Sequence, residues 1–154
     1  MAVFIRFLIG WIVGAVTTTV LGVILQTQNV IARLGNIGAE IGTGERLSMT
    51  AYDVLHLGSL YFVFVAIATL IAYLAGLLVY RLAGFGRLLV FAVAGSVAIL
   101  VMLLLMKQAF FGVHLIAGAR DALGISLQML AGAVGGLIFA WLTASRKAGF
   151  SAAS

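Results

Sequence analysis

Residues 6–26 read RFLIGWIVGAVTTTVLGVILQ, and every fourth position after Arg6 carries a small or polar residue: Gly10, Gly14, Thr18, Gly22 and Gln26. Bulk hydrophobicity does not require this regularity, because any mixture of leucine and valine would supply it. In lipid, apolar burial gives no net attraction between helices, and small residues spaced four apart allow two backbones to approach closely. The stretch therefore predicts a membrane-spanning helix that packs against a neighbour along this line.

The composition of the whole chain agrees with this prediction. Apolar residues make up 64% of the 154 residues and charged residues only 8%, which is far from the average of soluble globular domains. The formal net charge is +5, but the basic residues lie at the ends of apolar runs and not on one face among stacking aromatic side chains, which disfavours nucleic-acid binding. Because the sequence has no cysteine, thiolate chemistry and cysteine-held metals are excluded.

Four segments are long enough to cross a hydrocarbon core of about 30 Å as helices. They are residues 7–26, 57–80, 88–106 and 123–143, and none contains Asp, Glu, Lys, Arg or His. The first is too long for the apolar region of a signal peptide and is expected to be retained. The sequence thus predicts an all-α polytopic membrane protein with one four-helix transmembrane domain over residues 1–147 and a disordered tail over 148–154.

The distribution of basic residues predicts the orientation. With the N-terminus inside, the cytoplasmic segments carry basic residues and no acid, namely Arg6, Arg81, Arg87, Arg146 and Lys147. The outer segments carry the remaining basic residues and all four acids: Arg33, Arg46, Lys107, Arg120, Glu40, Glu45, Asp53 and Asp121. We therefore expect both termini in the cytoplasm and, by class, a bacterial inner membrane protein.

The two outer connections, residues 27–56 and 107–122, are too apolar to be simple exposed loops. The first has apolar residues near the helical period, which predicts an interfacial helix on the outer leaflet. It also contains Thr50-Ala-Tyr-Asp53, which has the form of a capping box and predicts that the second helix begins near Ala51. The second connection is expected to lie against the membrane or the bundle.

The fourth span repeats the pattern of the first, with Gly124, Gln128, Gly132, Gly136 and Ala140 at every fourth position. The two spans run antiparallel and place Gln26 and Gln128 at the same end. We expect direct packing between spans one and four, with contacts between protomers as the alternative, and a hydrogen bond between the two glutamine carboxamides.

His56 and His114 both lie near the outer ends of spans. Two neutral imidazoles on different helices are candidate ligands for haem or a metal ion, although no short His-x-x-His or Glu-x-x-His spacing fixes their geometry. Asp53, His56 and Ser59 do not make a hydrolytic triad, because at about 100° per residue they fan across the helix surface. Solvated interfacial histidines are the alternative.

Because the spans contain no ionisable group, proton pumping, voltage sensing and ion-coupled transport are disfavoured. The preferred hypothesis is a small non-catalytic subunit or scaffold that packs with itself or with a larger membrane complex, with lipid bound and no other cofactor. A second hypothesis is a channel or carrier for a neutral or lipidic ligand, lined by Thr17, Thr18, Ser96, Gln26 and Gln128. The third is a haem or metal protein using His56 and His114.

Overall fold

The computed structural model describes residues 1–38, 40–84, 86–109 and 121–144. These residues form four α-helices and no strand: α1 Ala2–Asn36, α2 Thr43–Ala83, α3 Arg87–Ala109 and α4 Ala122–Thr143. Each helix is long and apolar enough to cross a membrane, and each contains one of the four predicted spans. The predicted fold class, an all-α polytopic membrane protein, is confirmed. The predicted bounds of the domain stay a prediction, and its tail lies outside the described residues.

The four helices form an antiparallel bundle in which sequence neighbours are spatial neighbours. Helix α1 packs on α2 and α4, and α3 packs on α2 and α4, as in an up-down-up-down arrangement. One end of the bundle carries Arg6, Arg81 and Arg87, and we call it the arginine end. All four acidic residues lie at the opposite end, which we call the acidic end.

The first connection differs from its prediction. Residues 27–36, part of the connection 27–56 that was predicted to hold a separate interfacial helix, continue α1, and α2 begins at Thr43 instead of near Ala51. The predicted start near Ala51 is wrong because an earlier cap exists: the Gly42 amide donates to Glu45 Oε2 at 3.2 Å. The Thr50 hydroxyl, expected to cap the helix, donates instead to the carbonyl of Arg46, as it does within a continuous helix.

Helices α1 and α2 are longer than a bilayer requires. At a rise of 1.5 Å per residue they measure about 52 and 61 Å, against a hydrocarbon core of about 30 Å. Beyond the core they stay paired through two side-chain bonds, from Thr27 to Asp53 at 2.8 Å and from Gln28 to Thr50 at 3.1 Å. The acidic end is therefore built largely from a two-helix extension. Most of the second outer connection, residues 110–120, lies outside the described residues.

Candidate functional site: the bundle interior and the groove between α2 and α3

The predicted line on α1 faces α4. A Cβ atom added at Gly14 would lie 2.9 Å from the carbonyl oxygen of Gly135, and one added at Gly10 would lie 2.7 Å from Thr143 Cγ2. Thr18, one turn beyond Gly14 and fully buried, lies so close to Gly135 that a side chain on Gly135 would overlap the Thr18 hydroxyl. The α4 partner in this crossing is thus Gly135, a residue that the predicted every-fourth line on α4 does not contain.

Two glycines of the predicted line on α4 face a different neighbour. A Cβ atom on Gly132 would overlap the backbone of Gly95 in α3, and one on Gly136 would overlap the carbonyl of Phe91. Helix α4 therefore approaches α1 through Gly135 and α3 through Gly132 and Gly136. The sequence pattern placed all the small residues of α4 in one helix contact. In the structure, neighbouring positions on α4 contact two different helices, α1 and α3.

The remaining α4 residues of the predicted line lie along the same buried side. Gly124 is buried at the start of the helix, where its amide donates to Asp121 Oδ1 at 2.9 Å. Ala140 is buried near the arginine end, beside Tyr73, Phe91 and Phe139. Backbone contact in the middle of the helix is thus flanked by a capped start and an aromatic cluster.

Gln128 of α4 joins three helices in the bundle interior through its hydrogen bonds to α1 and α2. It is 1% exposed, its Nε2 donates to the carbonyl of Gly22 at 2.8 Å, and its Oε1 accepts from the Tyr61 hydroxyl at 2.8 Å. The predicted bond between Gln26 and Gln128 is wrong, because Tyr61 of α2 reaches the carboxamide oxygen and the Gly22 carbonyl takes the amide group. Gln26 is also buried, at 7% exposure.

Sequence reasoning missed Tyr61, although a signal was present. Tyr61, Val65, Thr69 and Tyr73 lie four apart on α2 and are at most 4% exposed, so polar groups recur at the helical period on the buried side. Thr69 donates to the carbonyl of Val65 at 2.7 Å. The Tyr73 hydroxyl is buried and has no hydrogen-bond partner among the described residues.

The five residues predicted to line a channel lie at different helix contacts, and four of them have hydrogen-bond partners within the bundle. Thr17 and Thr18 donate to carbonyls of their own helix, those of Val13 and Gly14. Ser96 donates across the interface of α3 and α4 to the carbonyl of Met129 at 3.0 Å, while Gln128 and Gln26 lie on the α1 side. The hydroxyl groups of Thr17, Thr18 and Ser96 are engaged by backbone, which leaves their hydrogens unavailable to a passing solute without rearrangement.

Arginines bind the last carbonyls of α4 at the arginine end. Arg87 donates from Nε to the carbonyl of Ala140 at 3.3 Å and from Nη2 to Thr143 Oγ1 at 2.7 Å, and Arg6 donates to the carbonyl of Ala144. Cations at a helix C-terminus meet unpaired carbonyls and the negative end of the helix dipole. The Arg87 guanidinium also lies 5.3 Å from the centre of the Tyr80 ring.

Among the described residues, His56 is not part of a group that could hold a metal ion. His56 is exposed, its ring stacks on Tyr52 with centres 4.0 Å apart, and its Nδ1 lies 3.1 Å from the Tyr52 carbonyl. His114 lies outside the described residues, among which no group of three or more His, Cys, Asp or Glu side chains is arranged to hold a metal ion. Ser59 Oγ donates to the backbone carbonyl of His56 rather than to its ring.

An open groove runs along the outer surface between α2 and α3. It has two sections of about 420 Å³ each, which share Ala72 and Val97. Small residues keep its walls low on both helices: Ala68, Ala72, Ala75, Gly76, Ala94 and Ala98. The lining is almost entirely apolar, as expected for a surface that faces lipid. We call it the α2–α3 groove.

Comparisons of the chain with protein-family models, with curated proteins and with solved structures found no match. The class of protein therefore follows from the lengths, composition and packing of the helices. The four apolar helices and the interior joined by backbone contacts describe an integral membrane protein of four-helix-bundle architecture.

Proposed function

We propose that the protein is a small non-catalytic subunit of a membrane assembly, which contacts its partner within the lipid along the α2–α3 groove. The partner is a membrane protein, either a second copy of this chain or a larger complex. We further propose that it resides in a bacterial inner membrane with both termini in the cytoplasm, since Arg6, Arg81 and Arg87 are concentrated in the short segments of the arginine end.

The single observation that carries this proposal is the engagement of the interior. At two crossings the backbones touch where a methyl group has no room, Gly14 against Gly135 and Gly95 against Gly132. The carboxamide of Gln128 and the buried threonine hydroxyls bond within the bundle. Because the interior groups bond to each other, the surface that contacts a partner lies on the outside of the bundle.

The α2–α3 groove is the outer feature best suited to a contact. Close van der Waals packing is the main source of helix association in lipid, and small residues permit it. The groove offers Ala68, Ala72 and Gly76 on α2 in the same spacing of four that joins helices inside the bundle. A partner helix laid along these residues would make contacts of the same kind.

Site-directed cross-linking in native membranes tests the proposal. Because the chain has no cysteine, a single introduced cysteine reports one position. With a photoactivatable maleimide, Ala72→Cys and Val97→Cys in the groove are expected to give a protein adduct of defined mass. Val16→Cys, on the exposed surface of α1, is the control and is expected to give none.

Differentially tagged copies of the chain decide between the two partners. An adduct containing both tags identifies a second copy, and an adduct with one tag identifies another membrane protein. The proposal is overturned when the groove positions give no protein adduct, or give the same adducts in the same yield as Val16→Cys.

A further inference from the structure

The outer part of the bundle interior contains a carboxamide whose hydrogen-bonding groups are unpaired. Gln26 is 7% exposed, and its side chain has no hydrogen-bond partner among the described residues. In that part of the chain, the Tyr73 hydroxyl is the single unpaired side-chain group that is sealed from solvent, so the Gln26 carboxamide still borders the accessible surface. A polar group buried to this extent is normally paired with protein or with ordered water. Water is therefore the partner to consider at Gln26.

The position of Gln26 brings it close to the carboxamide of Gln128. Gln128 Nε2 donates to the carbonyl of Gly22 at 2.8 Å. Gly22 lies one turn before Gln26 in α1, so the same carbonyl accepts the backbone amide of Gln26 at about 2.9 Å. The amide nitrogen of Gln128 is therefore at most about 6 Å from the backbone nitrogen of Gln26.

The side chain of Gln26 extends in the same direction. Side chains of a helix lean toward its N-terminus, over the preceding turn, and here that turn presents Gly22, which has no side chain. Gln26 and Gln128 form no direct hydrogen bond, and polar groups separated by more than about 3.5 Å are candidates for a water bridge. A water oxygen about 2.8 Å from each of two groups spans up to about 5.5 Å. The separation of the two carboxamides is within the reach of one water molecule.

The unused donors and acceptors of the two glutamines fit a water molecule. A carboxamide carries two N–H donors and an acceptor oxygen. Gln128 uses one N–H for Gly22 and its oxygen for the Tyr61 hydroxyl, which leaves its second N–H. Gln26 keeps all of its hydrogen-bonding capacity. Buried waters typically bond to otherwise unpaired groups of this kind.

We propose that Gln26 and Gln128 hold an ordered water molecule between α1 and α4. The water accepts the second Nε2 hydrogen of Gln128 and donates to Gln26 Oε1. It exchanges with the aqueous phase at the acidic end, because the Gln26 carboxamide borders the accessible surface. The site is separate from the α2–α3 groove and does not depend on the proposed subunit function.

The bond between Gln128 and Tyr61 forms the inner limit of this site. One turn further toward the arginine end, α2 carries Val65 beyond Tyr61, and Ile99 of α3 contacts α4 at Gly132. Val65 and Ile99 are fully buried and apolar, so they offer water no hydrogen bond. The water site is a pocket with a closed inner end and not the mouth of a continuous path.

Water-edited solid-state NMR of the full-length chain in lipid bilayers tests the site. Magnetisation transfer from water is measured to the side-chain amide of Gln128 and to the methyl groups of Val65 and Ile99. We expect transfer to Gln128 several-fold stronger than transfer to either methyl-bearing residue. No transfer to Gln128 overturns the proposal, and equal transfer to Val65 or Ile99 overturns the inner limit.

A substitution then assigns the water to Gln26. Gln26→Met keeps the length of the side chain and removes its hydrogen-bonding groups, and it is expected to reduce transfer to Gln128 several-fold. Gln28→Met, at an exposed position that bonds to Thr50, is the matched control and is expected to leave that transfer unchanged. Wild-type transfer in Gln26→Met overturns the assignment. Where Gln26→Met does not fold, the wild-type comparison of Gln128 with Val65 decides.

Discussion

At the scale of single residues, the interior depends on a few polar groups whose partners are fixed by geometry. Tyr61 and Tyr73 lie on the same side of α2, three turns apart, and both are buried. The hydroxyl of Tyr61 donates to Gln128 Oε1, whereas that of Tyr73 has no partner among the described residues. We therefore expect the hydroxyl group to stabilise the folded bundle at Tyr61 and to destabilise it at Tyr73.

Removing each hydroxyl tests this difference. Tyr61→Phe leaves the Gln128 oxygen unpaired and is expected to destabilise the bundle by about 1 kcal/mol. Tyr73→Phe removes an unsatisfied group and is expected to be neutral or stabilising by up to about 1 kcal/mol. Reversible unfolding in mixed micelles measures both, and an equal loss for the two variants would show that Tyr73 has a partner.

The bond between Tyr61 and Gln128 is measurable by a double-mutant cycle. Gln128→Leu alone, Tyr61→Phe alone and the two together are compared by the free energy of unfolding. We expect a coupling energy of about 0.6–1.7 kcal/mol, from the average to the largest value measured for hydrogen bonds between membrane helices. The control pair is Tyr61→Phe with Gln108→Leu, a substitution at the exposed end of α3, for which additivity is expected.

At the scale of elements, the packing of α4 against both neighbours depends on glycine. Gly95 of α3 and Gly132 of α4 meet backbone to backbone, and a side-chain atom on either would overlap the other. Close approach of this kind multiplies van der Waals contacts along the crossing. Glycine is required here for space, since neither residue has the left-handed backbone found at Gly38, Gly84 and Gly86.

Alanine substitutions distinguish this requirement from helix propensity. Gly132→Ala forces α3 and α4 apart and is expected to cost about 3 kcal/mol, at the upper end of overpacking effects. Gly44→Ala, in the first turn of α2 where no atom lies within 4 Å, is expected to stabilise by up to about 1 kcal/mol. Thermal unfolding in detergent should give shifts of opposite sign, and a neutral Gly132→Ala would contradict the described crossing.

At the scale of the whole molecule, the two ends differ in charge and in construction. The acidic end is an extension of α1 and α2 that carries a half-exposed ion pair between Arg33 and Asp121, and Asp121 also caps α4. Such a pair contributes little to stability because solvent screens it. The arginine end instead joins α4 to α1 and α3 through guanidinium-to-carbonyl bonds.

The proposed orientation is tested by labelling cysteines on the two ends. In intact cells, a membrane-impermeant maleimide is expected to label Ser48→Cys at the acidic end and not Leu82→Cys at the arginine end, both of which are exposed sites. Both variants should be labelled after the membrane is permeabilised. The reverse pattern in intact cells would invert the proposed topology.

The sequence by itself determined the fold class and the places of the four spans. Apolar runs of about 20 residues without an ionisable group leave a helix as the structure that satisfies its own backbone in lipid. The sequence also shows which charged residues flank each apolar run, so it distinguishes the acidic end of the bundle from the arginine end. The capping pattern was a poorer guide. Thr50-Ala-Tyr-Asp53 predicted that α2 begins near Ala51, but the helix begins eight residues earlier, at the cap formed by Gly42 and Glu45.

Only the tertiary structure decided which neighbour each small or polar residue meets. Gly132 and Gly135 differ by three positions, and a turn of about 60° between them sends one to α3 and the other to α1. Gln128 bonds to Gly22 and Tyr61 instead of Gln26 because the rotation and depth of three helices are set jointly by their packing. The α2–α3 groove follows from the same cause, since it exists only where two particular helix faces leave space between them.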